Sequence, residues 1–263
     1  MLKNALVSKA ICNVDETGAK YLSNPYSSEG DVTLASIAGS YAVTAWTTTD
    51  DTISVTDQAT RAEHIYEFEE TLTRFNVYQD RIDKLSYKVA LAIDQFVVNK
   101  VTDIATGAYS TPAGGFTTSG NINKIIADLA SKVLGYAESY NGLFLVLENT
   151  DITGLFQAQM TNGFNWADMA LKNGFVSNYG GIDIYVVRSG TYQTATLGTL
   201  TAVNSGHRLF GVKNQAVMLN PRGVQYDEKK VTLKTGREVA VFSNVGAGIW
   251  TNLRDLLVDI TIV

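Results

Sequence analysis

The sequence predicts an α+β chain: a β-rich polar extension, then a long helix, then a compact α/β layer. Three observations lead there. Between Lys20 and Lys84 the chain has no lysine and almost no apolar run, only short alternating segments. Directly after it, Ile82, Leu85, Val89, Ala92, Ile93, Phe96, Val97, Val101 and Ile104 recur at three- and four-residue steps, the period of an amphipathic helix. Across 121–220, strand and helix patterns alternate, as in a sheet covered by helices.

Taken in order, residues 1–30 have weak periodicity and a turn-like Asn24-Pro25-Tyr26-Ser27-Ser28, which predicts an extended arm with a short helical piece. Alternation starts at Asp31. Val32 and Leu34 alternate before Gly39; Tyr41, Val43 and Ala45 share one side, with Trp46 on the other. Thr47 to Asp51 reads as a polar tip, and Ile53 and Val55 resume the pattern. His64 to Val77 places Tyr66, Phe68 and Leu72 on one face. The whole of 31–77 reads as a long hairpin with one polar side. An isolated two-stranded ribbon is only marginally stable in water, so this one is expected to lie on neighbouring copies. The candidate subunit contacts are Tyr41, Val43, Trp46, Ile53, Val55, Tyr66 and Phe68.

The helix over 82–104 has Asp80 and Asp83 near its positive N-terminal end and Gly107 as its stop. It would span roughly 35 Å. Tyr109 to Gly120 reads as a loop, Asn121 to Ala137 as a second helix, and Leu143 to Leu147 as a buried strand. Asn149-Thr150-Asp151 caps a short helix from Ile152 to Gln159; another covers Trp166 to Lys172. Ile182 to Val187 and Ala216 to Leu219 are strands. Val231 and Leu233, then Val239 and Val241, flank Thr235-Gly236 as a hairpin. Gly246-Ala247-Gly248 interrupts, and Leu253 to Val263 closes the chain.

Composition narrows the function. Apolar residues make up 45% of 263, enough for a sizeable core, while charged residues are only 18%, below the usual ~25%. Residues 1–75 hold five basic and eleven acidic side chains, so the net charge of −5 resides in that segment. A solvated acidic face accounts for it. No basic stripe supports salt-sensitive binding to a phosphate backbone. One cysteine, Cys12, cannot form an internal disulfide. No apolar run reaches the ~20 residues of a membrane helix, and the start lacks a signal-peptide core. A soluble chain made in a reducing cytoplasm is expected.

The order of arm, hairpin, long helix, α/β layer and returning hairpin resembles the major capsid protein of tailed bacteriophages, with the HK97-like fold. Gly30-Asp31-Val32 through Thr47-Thr48-Thr49-Asp50-Asp51 resembles its extended loop. Asp83-Lys84-Leu85-Ser86-Tyr87-Lys88-Val89-Ala90-Leu91-Ala92-Ile93-Asp94 resembles its spine helix. Asn123-Lys124-Ile125-Ile126-Ala127-Asp128-Leu129 with Leu143-Phe144-Leu145-Val146-Leu147, and Gly180-Gly181-Ile182-Asp183-Ile184-Tyr185-Val186-Val187, resemble its axial domain. Lys213-Asn214-Gln215-Ala216-Val217-Met218 and the hairpin after Tyr226 resemble its return to the peripheral domain.

The resemblance implies an N-terminal arm over 1–30, an extended loop over 31–77, a peripheral domain of 78–120 with 226–263, and an axial domain over 121–225. It implies self-assembly into hexamers and pentamers that enclose double-stranded DNA in an icosahedral head. A portal, a scaffold and decoration proteins are its implied partners. The place would be the virion, after assembly in the host cytoplasm. Some members join subunits covalently through a lysine in the extended loop; this loop has none, so cohesion is expected from strand pairing, burial and salt bridges. The chain begins close to the arm, which leaves little room for a scaffolding segment, and a separate scaffold is expected. Encapsulin shells share the fold, but the N-terminal region lacks the amphipathic helix expected to line their interior. A tail or surface adhesin would also suit the Thr- and Gly-rich β segments.

Enzyme motifs are weak. Only His64 and His207 could serve as a catalytic base; the first sits in a strand pattern, the second in a Ser-Gly-His-Arg turn. No Gly-x-Ser-x-Gly elbow occurs. Gly115 and Gly120 have phosphate-loop spacing, but Asn121-Ile122 replaces the lysine and hydroxyl that would hold phosphate and magnesium. Glu67, Glu69, Glu70 and Asp50-Asp51 could gather oxygens for calcium, yet a solvated strand face is the default. Trp46, Trp166 and Trp250 read as core or interface anchors. No catalytic residue, cofactor or metal is assigned.

Overall fold

The computed structural model describes residues 7–28, 47–66, 77–134, 142–161, 175–179, 181–192, 198–201, 204–220, 222–230 and 235–263. In chain order the elements are α1 (Val7–Ile11), β1 (Asn13–Asp15), β2 (Tyr21–Ser28), β3 (Thr47–Ser54), β4 (Asp57–Ile65), α2 (Val77–Ile104), β5 (Gly107–Ser110) and α3 (Ser119–Leu134). Then come β6 (Leu143–Glu148), α4 (Ile152–Thr161), β7 (Phe175–Tyr179), β8 (Ile182–Val187), β9 (His207–Val212), β10 (Ala216–Leu219), β11 (Gln225–Lys230), β12 (Arg237–Ile249) and β13 (Leu257–Thr261).

Six strands pair in the order β5-β13-β9-β6-β8-β7. Every residue of β6 is buried because both faces of this sheet are covered, the condition that allows an unbroken apolar strand. Leu143, Leu145 and Leu147 face a core built with Ile122, Ile125 and Leu129 of α3 and Leu155 of α4. Phe144 and Val146 join a second core containing Leu85, Val89, Ile93, Phe96 and Val97 of α2.

That second core continues through α2 to Val239, Val241 and Val245 of β12. The helix is therefore a shared middle layer between two sheets. Its 28 residues reach about 42 Å. The N-terminal half is apolar on one side. From Ile93 to Thr102 all but Gln95 and Lys100 are buried, since sheet lies on both sides.

The second sheet is organised by β12. Residues Arg237–Val245 pair with β4, Arg237–Phe242 with β11, and Gly246–Ile249 with β10, all antiparallel; β1 adds to β10 in parallel. Gly246-Ala247-Gly248 therefore continues a strand rather than interrupting one. β13 lies inside the six-stranded sheet, parallel to β5 and antiparallel to β9. The two segments that the resemblance gives to a peripheral domain, 78–120 and 226–263, each contribute a strand, β5 and β13, to the six-stranded sheet.

The N-terminal segment carries a short helical piece, α1. Val7, Ile11 and Cys12 are buried in the chain's own core, because these apolar groups find α2 within reach. Asp94 of α2 accepts hydrogen bonds from the Val7 amide (3.1 Å), the Ser8 amide (2.9 Å) and the Ser8 hydroxyl. Burial pushes the Asp94 carboxyl upward, against the pull of these donors. Asn214 N–H donates to Ile11 O (2.8 Å) and Asn220 N–H to Asp15 O (3.0 Å). Residues 7–15 are thus bound to the chain's own body.

Candidate assembly interface

β2 and β3 form a separate two-stranded sheet, paired from Tyr21↔Ser54 to Ser28↔Thr47. The ribbon therefore begins ten residues before Asp31, and Thr47–Asp51, expected as its tip, is its returning strand. The threonine run masks this strand because it lacks apolar alternation. One face carries Tyr21, Ser23, Pro25, Ser27, Thr48, Asp50, Thr52 and Ser54, all exposed; Tyr21 is 63% exposed. Ser23 donates to Asp50 across this face.

On the opposite face, Leu22 and Ile53 rest on Val217, Leu219 and Trp250 of the body. Two glycines permit this approach. A Cβ at Gly246 would collide with the Ser54 carbonyl oxygen, and one at Gly248 would lie 2.9 Å from Ile53 Cγ1. Asp51 accepts from the Thr251 amide (2.6 Å). Asp57, at the start of β4, accepts from the Thr199 amide (2.8 Å) and hydroxyl, and Gly198 (φ 59°) brings that loop against it. Burial opposes both charges, yet these donors outweigh it and hold both carboxyls below the usual range; Arg254 helps at Asp51 and Lys100 at Asp57. The ribbon is anchored at its root and projects beyond it.

Of the seven sequence-derived contact residues, Ile53, Val55 and Tyr66 lie among the described residues. Ile53 is 6% exposed and packs on its own chain; it is an anchor, because the glycines of β12 leave it a socket. Val55 is half-buried in the same cluster. Tyr66 is 43% exposed and stands edge-on to His64, with ring centroids 4.6 Å apart. Tyr41, Val43, Trp46 and Phe68 lie outside the described residues, as do Glu67, Glu69, Glu70 and the helix expected over Trp166 to Lys172. Nor is β4 part of a free hairpin: the body sheet hydrogen-bonds it over its full length.

A surface cluster escaped the sequence reading. Tyr78 and Tyr226 both donate to Glu228 Oε2 (2.6 Å each), and Arg237 Nη1 donates to its other oxygen (2.9 Å). The two phenols, then Arg237, hold Glu228 down to about 2. The group ties the start of α2 to the consecutive strands β11 and β12: Tyr78 and Glu228 are 150 residues apart.

Most of the other polar groups singled out by sequence have structural partners, whereas both ring nitrogens of His64 are buried without a hydrogen bond. Asn121 Nδ2 donates to Ala113 O (3.0 Å), closing the glycine loop before α3 on itself. Asp50 and Asp51 serve different partners, Ser23 and Thr251. His207 Nδ1 lies 2.9 Å from both oxygens of Asp259; burial raises the Asp259 carboxyl, while His207 pulls it back. Burial also pushes the Cys12 thiol up. Arg208 reaches Glu148 (3.2 Å) and both oxygens of Asp151, and lies over the Tyr192 ring at 4.9 Å. Among the described residues no group of three His, Cys, Asp or Glu could hold a metal ion. None of the described helices is long and apolar enough to cross a membrane.

No protein-family model and no curated protein matches the chain. Solved structures do, over nearly its full length. A capsid structure of the cyanophage P-SCSP1u superposes with a TM-score of 0.73 at 14% identity, covering 99% of this chain and 89% of that one. A chain from Mycobacterium phage Che8 gives 0.69 at 11% identity, covering 92% and 84%. The capsid of a native GTA particle gives 0.68 at 12% identity, covering 96% and 88%. The chain has the HK97-like capsid fold.

Proposed function

We propose that this chain is the major capsid protein of a tailed bacteriophage, a structural subunit whose copies form the hexamers and pentamers of an icosahedral head around double-stranded DNA. The observation that carries this reading is the ribbon on a fold shared with capsid proteins. Leu22, Ile53 and Asp51 hold its root, while its outer face shows hydroxyls, Tyr21 and Asp50 to solvent. A polar two-stranded ribbon gains little alone; against a neighbour it gains area and strand partners.

The role is mechanical. Repeated interfaces of ~2,000 Å² or more close by symmetry. The ribbon has no lysine, so strand pairing, burial and ion pairs supply cohesion. The peripheral part then comprises α2 and the β12 sheet, and the axial part the six-stranded sheet with α3 and α4. A portal, a scaffold and decoration proteins complete the partner set, with assembly in the host cytoplasm and residence in the virion.

Size exclusion with negative-stain electron microscopy of the expressed chain, alone and with any co-encoded scaffold, tests this. Rings, sheets or shells are expected. A monomer under both conditions contradicts it, and shells filled by a co-purifying enzyme would indicate a nanocompartment instead.

A further inference from the structure

Two phenols meet at the start of the long helix. Tyr78 lies in the first turn of α2 and Tyr226 on β11, 148 residues apart in the chain. Their hydroxyl oxygens touch, and each lies 2.6 Å from the same carboxylate oxygen, Glu228 Oε2. Both rings are carried by regular elements, one on a helix and one on a strand hydrogen-bonded to β12 along its length. Tyr226 is 44% exposed and Tyr78 is half-buried, so a small molecule reaches the pair without unfolding the chain.

We propose that Tyr78 and Tyr226 are an oxidative cross-linking site, which two equivalents of a diffusible one-electron oxidant convert into a dityrosine within one chain. The site is independent of self-assembly. Each phenol gives up one electron to the oxidant and its O–H proton to solvent by way of Glu228. The two phenoxyl radicals then join through ring carbons ortho to oxygen. One C–C bond forms, two ortho C–H bonds break, and those hydrogens return to the oxygens as hydroxyl protons. The linked product holds its hydroxyls side by side, which is how this pair already stands. Burial and then Glu228 push the Tyr226 phenol up, so at neutral pH the proton must leave with the electron, and a positioned acceptor serves that step. Glu228, held down to about 2, is a weak base, but a phenol that has lost an electron is a strong acid. Arg237 lies 5.7 Å from the Tyr78 ring centre. Its charge opposes a radical cation there, and proton loss to Glu228 gives the neutral radical instead.

Brief oxidation of the full chain by photogenerated ruthenium(III) tris-bipyridyl, followed by peptide mass spectrometry, tests the site. The expected product is a peptide pair joined at Tyr78 and Tyr226, two hydrogens lighter than its parts and showing dityrosine fluorescence. It should form in the single-chain band, with a yield that does not change on dilution. Tyr226→Phe should lose this product with the circular dichroism spectrum unchanged. Glu228→Gln keeps an oxygen at the site but removes the base, and should slow the linkage several-fold. Tyr21 and Tyr87 are more exposed than Tyr226, so exposure alone would favour them. Linkage at those residues without any between Tyr78 and Tyr226, linkage only between chains, or no dityrosine at all overturns the site. An undiminished rate in Glu228→Gln overturns the carboxylate as the proton acceptor.

Discussion

Tyr192 shows how one side chain can complete a sheet. Its hydroxyl donates to Val146 O and accepts from Leu209 N–H, both at 3.0 Å, where the β6–β9 pairing ends. Tyr192→Phe leaves two buried backbone groups unpaired and should cost about 1–3 kcal/mol in urea unfolding. Arg208→Met is harsher: it strands Glu148 and Asp151 in a buried site and should cost ~3–5 kcal/mol. The same residue explains why β9 was unreadable. Ser-Gly-His-Arg looks like a turn, and an arginine argues against a core strand. Its neutralising carboxylates lie 60 and 57 residues upstream, beyond any local pattern.

Asp57 makes a pH prediction at this scale. Its folded pKa, like that of Asp51, is lowered, so its stabilisation is complete above the unfolded value near ~4 and is lost as pH falls through the folded value. Thermal melts should show Asp57→Asn less stable than the unmodified chain at pH 7, with the gap closing in acid. Asp94 has the opposite sign. Its pKa is raised, so its contribution is greatest below the unfolded value and declines as pH rises through the folded one. Asp94→Asn should remove that decline. A gap at Asp57 that widens in acid would contradict the assignment of Thr199 as its donor.

At the level of elements, legibility followed local pattern. α2, α3, β6, β8 and β10 were readable because apolar period and length agree with their environment. β2 and β3 were not, since a proline and a threonine run conceal strands that bury only one pair of side chains. The glycines of β12 read as a break, but Gly246 and Gly248 are open seats for the ribbon root. Gly248→Val should therefore displace Ile53. The expected outcome is a subunit with normal circular dichroism and misassembled or absent particles. Normal particles from this variant would show that the root position does not matter.

Across the whole molecule, the decisive feature is the continuous core through α2. The six-stranded sheet and the β12 sheet share that helix, whereas the β2–β3 ribbon meets the body at its root through Leu22, Ile53 and Asp51. That division was only half legible: alternation revealed β structure upstream of the helix, but not that α1, β1 and β4 return to their own body. The partners of β1 and β4, which are β10 and β12, lie between 172 and 204 residues later in the chain, and Asp94, which holds α1, lies 86 residues after Ser8.

The most direct measurement compares the full chain with a variant in which residues 25–50 are replaced by an Asn-Gly turn, which joins the paired strands at Asn24 and Asp51 and keeps the bond from the Thr251 amide to Asp51. Both are examined by circular dichroism, size exclusion and negative-stain electron microscopy. A ribbon that works between subunits gives a folded variant that forms no closed shell while the full chain does. Closed shells of normal size and yield from the shortened chain would contradict the account.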